Sequence, residues 1–489
     1  MSYSVRVNSN TVRDPRRWWT LAALCLALLV LVIDNMVLNL AIPSLNQEMG
    51  ATPSDIQWII DAYVLAFAGL LLTAGSLSDT YGRRRLLIIG LVFFGGASLL
   101  AVLVTEPWQL IAARFLMGVG GSLVMPSTLS ILMTVFADDE RRKAMAAWSA
   151  VALVGMVSGP TLGGFLLEHY WWGSVFLLNV PVAAVAIVAA VVLMPESRSA
   201  GRKIDPVGAL LSITGLTAGV YVIIEREWNV PVIVLAVVAL GAFVLWERRR
   251  DEPMLPLHLF ANRNFSGASF SILLMSFGAG AVMLMLTQYL QFVLGYGEMQ
   301  AGLSLLPYAV AAAIFNGVGA GLGKRLSNRV LIAAGLLLMA GGFVVMALTT
   351  GYLPLLAGLV LMGIGGGLAG PSAYASLMGA IPMEHAGVGS ALNDTVQQVG
   401  MALSIAVLGS VLAGRYTAEM PAGLPAAARE SIGAAHAAGL GEAADRAFTS
   451  AMHLGAWVGG GFCVAAALLA FSVLRPAAPS APAPEPVQV

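Results

Sequence analysis

Charge is what this 489-residue sequence has least of: Asp, Glu, Lys and Arg together make up 11% of it. Soluble domains carry roughly 25% charged residues, and a chain of this length folded in water would need two or three domains with polar surfaces. The charges to cover them are missing, which excludes a soluble globule. Lysine is scarcer still, three residues against 23 arginines, and the formal net charge is zero. Bulk charge therefore offers nothing to a nucleic acid. The two cysteines, Cys25 and Cys463, both lie in apolar stretches, so neither a disulfide framework nor a cysteine metal site is expected. No C-x-x-C, H-E-x-x-H or phosphate-loop pattern occurs, and no nucleophile–base constellation is visible. An enzyme, a metal site and an organic cofactor are not expected, and nothing on this chain would bind ATP.

Hydrocarbon takes the place of charge: 58% of the residues are hydrophobic. A bilayer core about 30 Å thick takes roughly 20 apolar residues per helix. On that measure there are fourteen spans, six near 18–42, 58–78, 85–105, 108–135, 142–168 and 172–194, two near 206–224 and 230–247, and six near 265–294, 300–322, 329–349, 353–378, 388–412 and 450–474. Arg13, Arg16 and Arg17 ahead of the run from Trp18 to Pro43 imitate a secretion signal. A signal core is only about 7–15 residues and ends at a small-residue cleavage site, so this run is read as a retained first helix.

The basic residues orient the spans. Of the 26, 21 fall on one side: the N-terminal arginines, Arg83–Arg85, Arg141–Lys143, Arg198, Arg202, Lys203, Arg248–Arg250, Arg263, Lys324, Arg325, Arg329 and Arg475. Only Arg226, Arg415, Arg429 and Arg446 fall on the other, and Arg114 sits inside a span. The positive-inside rule then places both termini in the cytoplasm, with the protein in a bacterial inner membrane. Eight of the ten tryptophans stand at expected span ends, as an interfacial belt requires. The Ala/Gly-rich stretch 413–449 is read as a solvated external loop with room for some helix, and the Pro/Ala-rich tail 476–489 as disordered.

The chain also repeats itself. Residues 116–127 read LMGVGGSLVMPS and residues 361–372 read LMGIGGGLAGPS, identical at eight of twelve positions with an offset of 245. The same offset aligns Val154-Gly155-Met156 with Val399-Gly400-Met401, and Tyr63 with Tyr308. The expected architecture is an all-α polytopic membrane protein of two parallel, pseudo-symmetric six-helix bundles, 1–195 and 251–475, with two inserted helices in 196–250. Parallel halves of this kind are an alternating-access design, with substrate near the midplane between them. Symmetry fails at the ionisable groups: Asp34 aligns with Ala279, Arg114 with Leu359, Asp79 with Lys324 and Ser149 with Asp394. A fold requirement shared by both halves does not explain them.

Four segments carry a resemblance. They are Gly75-Ser-Leu-Ser-Asp79-Thr-Tyr-Gly82-Arg83-Arg84-Arg85 between the second and third spans, Asp34 to Pro43 in the first, Arg114 to Gly120 in the fourth, and Gly155-Met-Val-Ser-Gly159-Pro160-Thr-Leu-Gly163-Gly164 in the fifth. Together they resemble the major facilitator superfamily, specifically its fourteen-helix drug:proton antiporters, although Met36 stands where that branch usually has threonine. The resemblance implies export of drugs or antibiotics driven by protons, and an ionic latch of Asp79, Arg83 and nearby helix ends that stabilises one access state. The run Asp138-Asp139-Glu140-Arg141-Arg142 offers it partners, while the triple arginine is also a topology signal. The glycine series Gly155, Gly159, Gly163 and Gly164 with Pro160 gives a kinked helix a small-residue face. It is either ordinary close packing or a seam against the span at 300–322 that opens and closes the cavity.

A charge at the centre of a membrane helix costs about 2.5–3.5 kcal/mol on insertion scales, so each needs a reason. Counted at about 1.5 Å per residue, Asp34 and Arg114 both lie roughly 10–14 Å below the outer surface. They are either a static ion pair or a coupling site at which Asp34 binds the proton. Desolvation strengthens a carboxylate's hold on a proton and a nearby arginine weakens it, so cavity opening would switch that hold. Asp61 is either a further coupling group or a solvated one near the outer interface. Asp394 with Asn393, Gln397 and Gln398 forms a polar cluster for substrate or a second proton. Tyr63, Tyr308 and Phe315 are read as cavity lining, in keeping with small lipophilic solutes, cationic ones included, as partners and a monomer as the working unit. Two alternatives stay open: export of an endogenous metabolite or lipid, and a non-transporting membrane receptor or sensor.

Overall fold

In hydrocarbon every backbone N–H and C=O must be satisfied within its own segment, and for apolar runs of this length the helix does that. The computed structural model describes residues 15–136, 138–198, 205–225, 229–250, 253, 255, 257–323, 325–380 and 386–474. Among them every regular element is helical. The first half holds α1 (Arg17–Glu48), α2 (Pro53–Tyr81), α3 (Arg83–Val102), α4 (Pro107–Val135), α5 (Asp138–His169), α6 (Ser174–Leu177) and α7 (Asn179–Leu193), the last two making one span. Then come α8 (Pro206–Ile224) and α9 (Val230–Arg249). The second half holds α10 (Arg263–Gln288, extended by a π-helical turn Tyr289–Val293), α11 (Glu298–Leu322), α12 (Asn328–Leu348), α13 (Tyr352–Met378), α14 (Ala386–Glu419), α15 (Ala426–Glu430), α16 (Ile432–Ala437) and α17 (Gly441–Val473).

Thirteen spans among the described residues are long and apolar enough to cross a membrane. The fourteenth is α5, whose 32 residues begin with a charged run and lie along α1 and α11. Start signals are local. Thr52 and Asp55 form a capping box ahead of Pro53, and the Asp205 carboxylate accepts the Gly208 N–H at 2.9 Å ahead of Pro206. A proline at the first helical position and an oxygen-bearing cap satisfy N–H groups that the first turn leaves free. Large apolar side chains such as Val185, Val188, Val192, Val237, Val238 and Leu245 face outward, which suits a lipid-facing belt.

The repeat is built into the packing. A methyl group on Gly118 of α4 would stand 2.9 Å from the Ala66 Cβ of α2, and one on Gly363 of α13 would stand 2.9 Å from the Ala311 Cβ of α11. All four residues are related by the offset of 245. Gly120 against Gly90 and Phe94 likewise matches Gly365 against Gly335 and Met339, and Pro126 in α4 matches Pro371 in α13. The protein is two six-helix bundles, α1–α7 and α10–α14 with α17, and α8–α9 lie between them in sequence.

The bundles meet where α1 ends and α2 begins, called here the hairpin end; the opposite end is the arginine-rich end. Gly164 of α5 lies against Glu298 and Met299 of α11, and Gly302 of α11 against Pro160. Gly409 of α14 lies against the Gln57 side chain of α2, and the Gln291 amide donates to the Leu40 carbonyl at 3.2 Å. The end of α8 touches both bundles. Glu225 accepts from Ser54 Oγ at 2.8 Å and from Trp58 Nε1 at 2.9 Å on α2, and Ser410 Oγ of α14 donates to the Ile223 carbonyl at 2.7 Å. The stretch 413–449 is more ordered than a solvated loop: α14 runs on to Glu419, α17 starts at Gly441, and α15 and α16 fill the gap. The tail 476–489, Arg226 and Lys324 lie outside the described residues.

Candidate functional site

Asp34 lies on the face of α1 that carries Val30, Leu31, Val37 and Leu38, all buried. Arg114 lies on the face of α4 that carries Leu110, Met117, Gly118 and Gly121, also buried. The i, i+3, i+4 spacing of those neighbours drives both charges inward. They meet: Arg114 Nη1 is 2.6 Å from Asp34 Oδ2, with the arginine side chain 0% and the aspartate side chain 2% exposed. Arg114 Nε donates to the Ile59 carbonyl of α2 at 3.1 Å, and its Cζ stands 4.4 Å from the Tyr63 ring centroid. Asn179 at the start of α7 donates through Nδ2 to Asp34 Oδ1 at 2.7 Å and reaches Ser98 Oγ of α3 at 3.2 Å. A buried ion pair is tolerated when such hydrogen bonds satisfy what the pairing leaves over. Here five helices of one bundle supply them, and within the cluster Arg114 Nη2 and Asn179 Oδ1 are left without a hydrogen-bond partner. Tyr63, expected in the cavity lining, is 1% exposed and lies against Arg114.

Asp61 belongs to a different face of α2. Two residues from Tyr63, it is turned by about 200° around the helix. It is 0% exposed, and neither carboxylate oxygen has a hydrogen-bond partner. A solvated position at the outer interface is thereby set aside. Asp394 is half-buried on α14 and accepts from Asn393 Nδ2 at 2.9 Å. Gln398 lies one turn further and Gly409 about three turns beyond that on the same face, so Asp394, Gln398 and the Gly409 contact with α2 form one stripe facing the first bundle. Gln397 lies beside it and is half-buried, as are Tyr308 and Phe315 on α11.

At the arginine-rich end α2 and α3 are joined through Gly82 alone, at φ +119°, a conformation that favours glycine. The turn brings Arg83 onto Asp79, Nη2 to Oδ1 at 2.7 Å, and onto Thr134 Oγ1 of α4 at 2.5 Å. Gly75 lies beside Pro126 of α4. Glu196, which follows α7, accepts the Arg84 N–H at 3.2 Å and lies 3.7 Å from Arg85 Nε. In the 138–142 run, Glu140 pairs with Arg17 at 2.7 Å and so serves α1; the side chains of Asp138, Asp139, Arg141 and Arg142 lie outside the described residues.

The α5 glycine series divides between two neighbours. Methyl groups on Gly155, Gly159 and Gly163 would stand 2.9 Å from Val32 Cβ, 2.6 Å from Met36 Cβ and 2.9 Å from Val37 Cγ1, all on α1. Gly164 and Pro160 face α11 instead. Sequence reasoning missed Asn179, Ser98, Gln57 and Glu196. Asn179 and Ser98 had a signal, as polar residues inside apolar runs; Gln57 and Glu196, at span ends, looked like ordinary interfacial residues.

Comparison with known proteins agrees with this architecture. The puromycin resistance protein pur8 of Streptomyces alboniger is 37% identical over 424 residues, 83% of this chain and 84% of that protein. The multidrug efflux pump LfrA of Mycolicibacterium smegmatis is 34% identical over 89% of this chain and 90% of its own. The cephamycin export protein CmcT of Amycolatopsis lactamdurans is 38% identical over 86% and 90%. Among solved structures, an inward-facing, occupied bacterial homologue of the human lysosomal transporter Spinster superposes with a TM-score of 0.67 at 18% identity, over 94% of this chain and 97% of that one; this likeness bears on the fold. The Major Facilitator Superfamily family model matches residues 24–405, and this chain belongs to that superfamily.

Proposed function

We propose that this protein is a proton-coupled efflux antiporter, exporting lipophilic and cationic drugs or antibiotics by alternating access. The observation that carries the reading is Asp34, an acid inside a span whose repeat-related position is Ala279, held at 2.6 Å by Arg114 and at 2.7 Å by Asn179. A buried acid that the fold's own symmetry does without has a functional reason. The names of relatives 34–38% identical, which speak of puromycin resistance, multidrug efflux and cephamycin export, support the direction and the class of cargo.

In this reading the bundles 1–195 and 251–475 rock against each other, 196–250 travels with them, and protons are the only coupling ion. The arginine-rich end and both termini, including the tail 476–489, face the cytoplasm of a bacterial inner membrane. The hairpin end, with 413–449, faces outward. Asp34, Arg114, Asp61 and Asp394 couple proton and substrate. Tyr63, Tyr308, Phe315, Asn393, Gln397 and Gln398 shape the cavity. Gly75, Asp79, Gly82 and Arg83 with the Gly155–Gly164 series govern the switch, and a monomer suffices. A second reading, export of an endogenous metabolite by the same machinery, is favoured by the likeness to a protein named for cephamycin export.

Inverted membrane vesicles test the proposal. Wild-type vesicles are expected to accumulate ethidium or puromycin when the lumen is acid, and Asp34→Asn vesicles to lose that accumulation. Equal pH-driven accumulation in both removes Asp34 from coupling. A wild type that moves neither solute under an imposed gradient removes the antiport reading.

A further inference from the structure

Two seams close the hairpin end, and the offset of 245 relates them. Gly164 of α5 corresponds to Gly409 of α14, Gly302 of α11 to Gln57 of α2, and Leu306 to Asp61. At the α5–α11 seam the matching places carry no polar side chain: Gly302 lies on the Pro160 backbone, and Gly164 on the Glu298 and Met299 backbone. The α2–α14 seam has a buried amide and a buried acid at the same places. Gln57 is 3% exposed with its Oε1 unpartnered, and Asp61 is 0% exposed with both oxygens unpartnered. Since the twin closes with Gly302 and Leu306 at those places, closure does not require an amide and an acid there.

Above Gln57 lies a cavity of about 40 Å³, lined by Gln57, Asn46, Gln288, Gly409, Tyr416 and Glu430 among others. That exceeds the roughly 10–15 Å³ a cavity needs to admit water. Buried Gln57 Oε1 and Asn46 Oδ1 have no protein partner, and Glu430 is exposed. Asp61 follows Gln57 by one helical turn, about 5–6 Å between Cβ atoms.

We infer that this cavity is a water-holding proton antechamber that connects Asp61 to the hairpin-end solution while the bundles are closed against each other. The inference rests on the antiport reading and gives it a route. A proton from hydronium at Glu430 passes along the cavity waters, Gln57 orients the innermost one, and an Asp61 oxygen takes the proton as that water takes one from its neighbour. The other ionisable groups on the packed elements are Glu225 and Tyr221 at the end of α8, Asp394, Arg415, Tyr416 and Glu419 on α14, Arg429 on α15, the His436–Asp445 pair of α16 and α17, and Asp55 at the α2 cap; Arg114 of α4 faces the opposite side of α2.

The test uses full-length protein in inverted vesicles, with ethidium and puromycin as probes. Two rates are measured: probe-dependent proton loss from an acid lumen, and probe–probe exchange at equal pH. Gln57→Leu and, separately, Ala413→Phe, which fills the cavity, should lower proton loss at least tenfold with exchange within twofold. Gln57→Glu should restore it. Wild-type proton loss in both Gln57→Leu and Ala413→Phe overturns the route and leaves antiport standing. Loss of exchange in step with proton loss also overturns it, assigning the residues to seam closure. A wild type without probe-dependent proton loss brings down antiport and the route together.

Discussion

Asp34 uses both of its oxygens within one bundle, one toward Arg114 and one toward Asn179, so its substitutions separate charge from shape. Removing one partner of a buried pair costs about 3–5 kcal/mol because the other charge stays behind. Both Asp34→Ala and Asp34→Asn leave Arg114 unpaired, but Asp34→Asn keeps the side chain's volume and one acceptor oxygen, so Asp34→Ala is expected to lower the thermal unfolding temperature of the detergent-solubilised protein measurably more. Equal melting temperatures would show that Arg114 finds another partner. Asn179→Leu removes a hydrogen bond to a charged group, about 1.5–3 kcal/mol, and should slow pH-driven efflux at least fivefold in vesicles that contain normal amounts of protein. The pairing of Asp34 with Arg114 was legible because residue counts from Pro43 and Pro107 fix depth at about 1.5 Å per residue. Asn179 was not, since a lone amide in a run of Val and Ala carries no periodicity to say which bundle axis it faces.

Single helices join the two bundles in ways the chain order conceals. In sequence the glycines of α5 read either as ordinary close packing or as a seam against α11; three of them pack on α1 inside their own bundle, and Gly164 alone of the four meets α11 across the divide. A residue spacing gives the face of a helix, and a helix as deeply placed as α5 has neighbours on more than one. Gly159→Leu is expected to damage the α1–α5 packing and lower the amount of folded protein, since a Cβ there already stands 2.6 Å from Met36 Cβ. Gly164→Leu should insert and fold yet hold the hairpin end apart, raising labelling of Met299→Cys by a membrane-impermeant thiol reagent. Unchanged labelling would mean that α11 yields and the seam closes regardless. The inserted α8 grips α2 through Glu225 and α14 through Ile223. Glu225→Ala deprives Ser54 and Trp58 of their acceptor and should raise thiol labelling of a Gln57→Cys reporter at least twofold; labelling at the reporter's own level would reduce α8 to a bystander.

At the scale of the whole molecule, the repeat made the architecture legible: one offset predicts which helices pair, and the same glycine contacts recur in both halves. What the offset cannot carry is the stretch between α14 and α17, which has no counterpart in the first half and therefore no template. There the structure has a strap. Its α16 is tied to the second bundle by His436, whose Nε2 is 2.8 Å from Asp445 Oδ1 and whose ring lies 5.6 Å from that of Phe292. Gly433 sits between the bundles, where a Cβ would stand 3.2 Å from the Phe292 ring and 3.4 Å from Asn46 Cβ of the first bundle. That separation is close to the roughly 3.5–4.5 Å between Cβ atoms of a disulfide. Both native cysteines lie inside spans, so an engineered pair at the strap has little competition. Asn46→Cys with Gly433→Cys is expected to form a bond under mild oxidation that pins the two bundles together at the hairpin end, stopping pH-driven ethidium transport, with recovery on reduction. If bundles that rock must part where the strap crosses them, a cross-linked protein cannot complete a cycle; transport at the wild-type rate in fully cross-linked protein would mean that the strap moves with the first bundle and that the parting surface lies elsewhere.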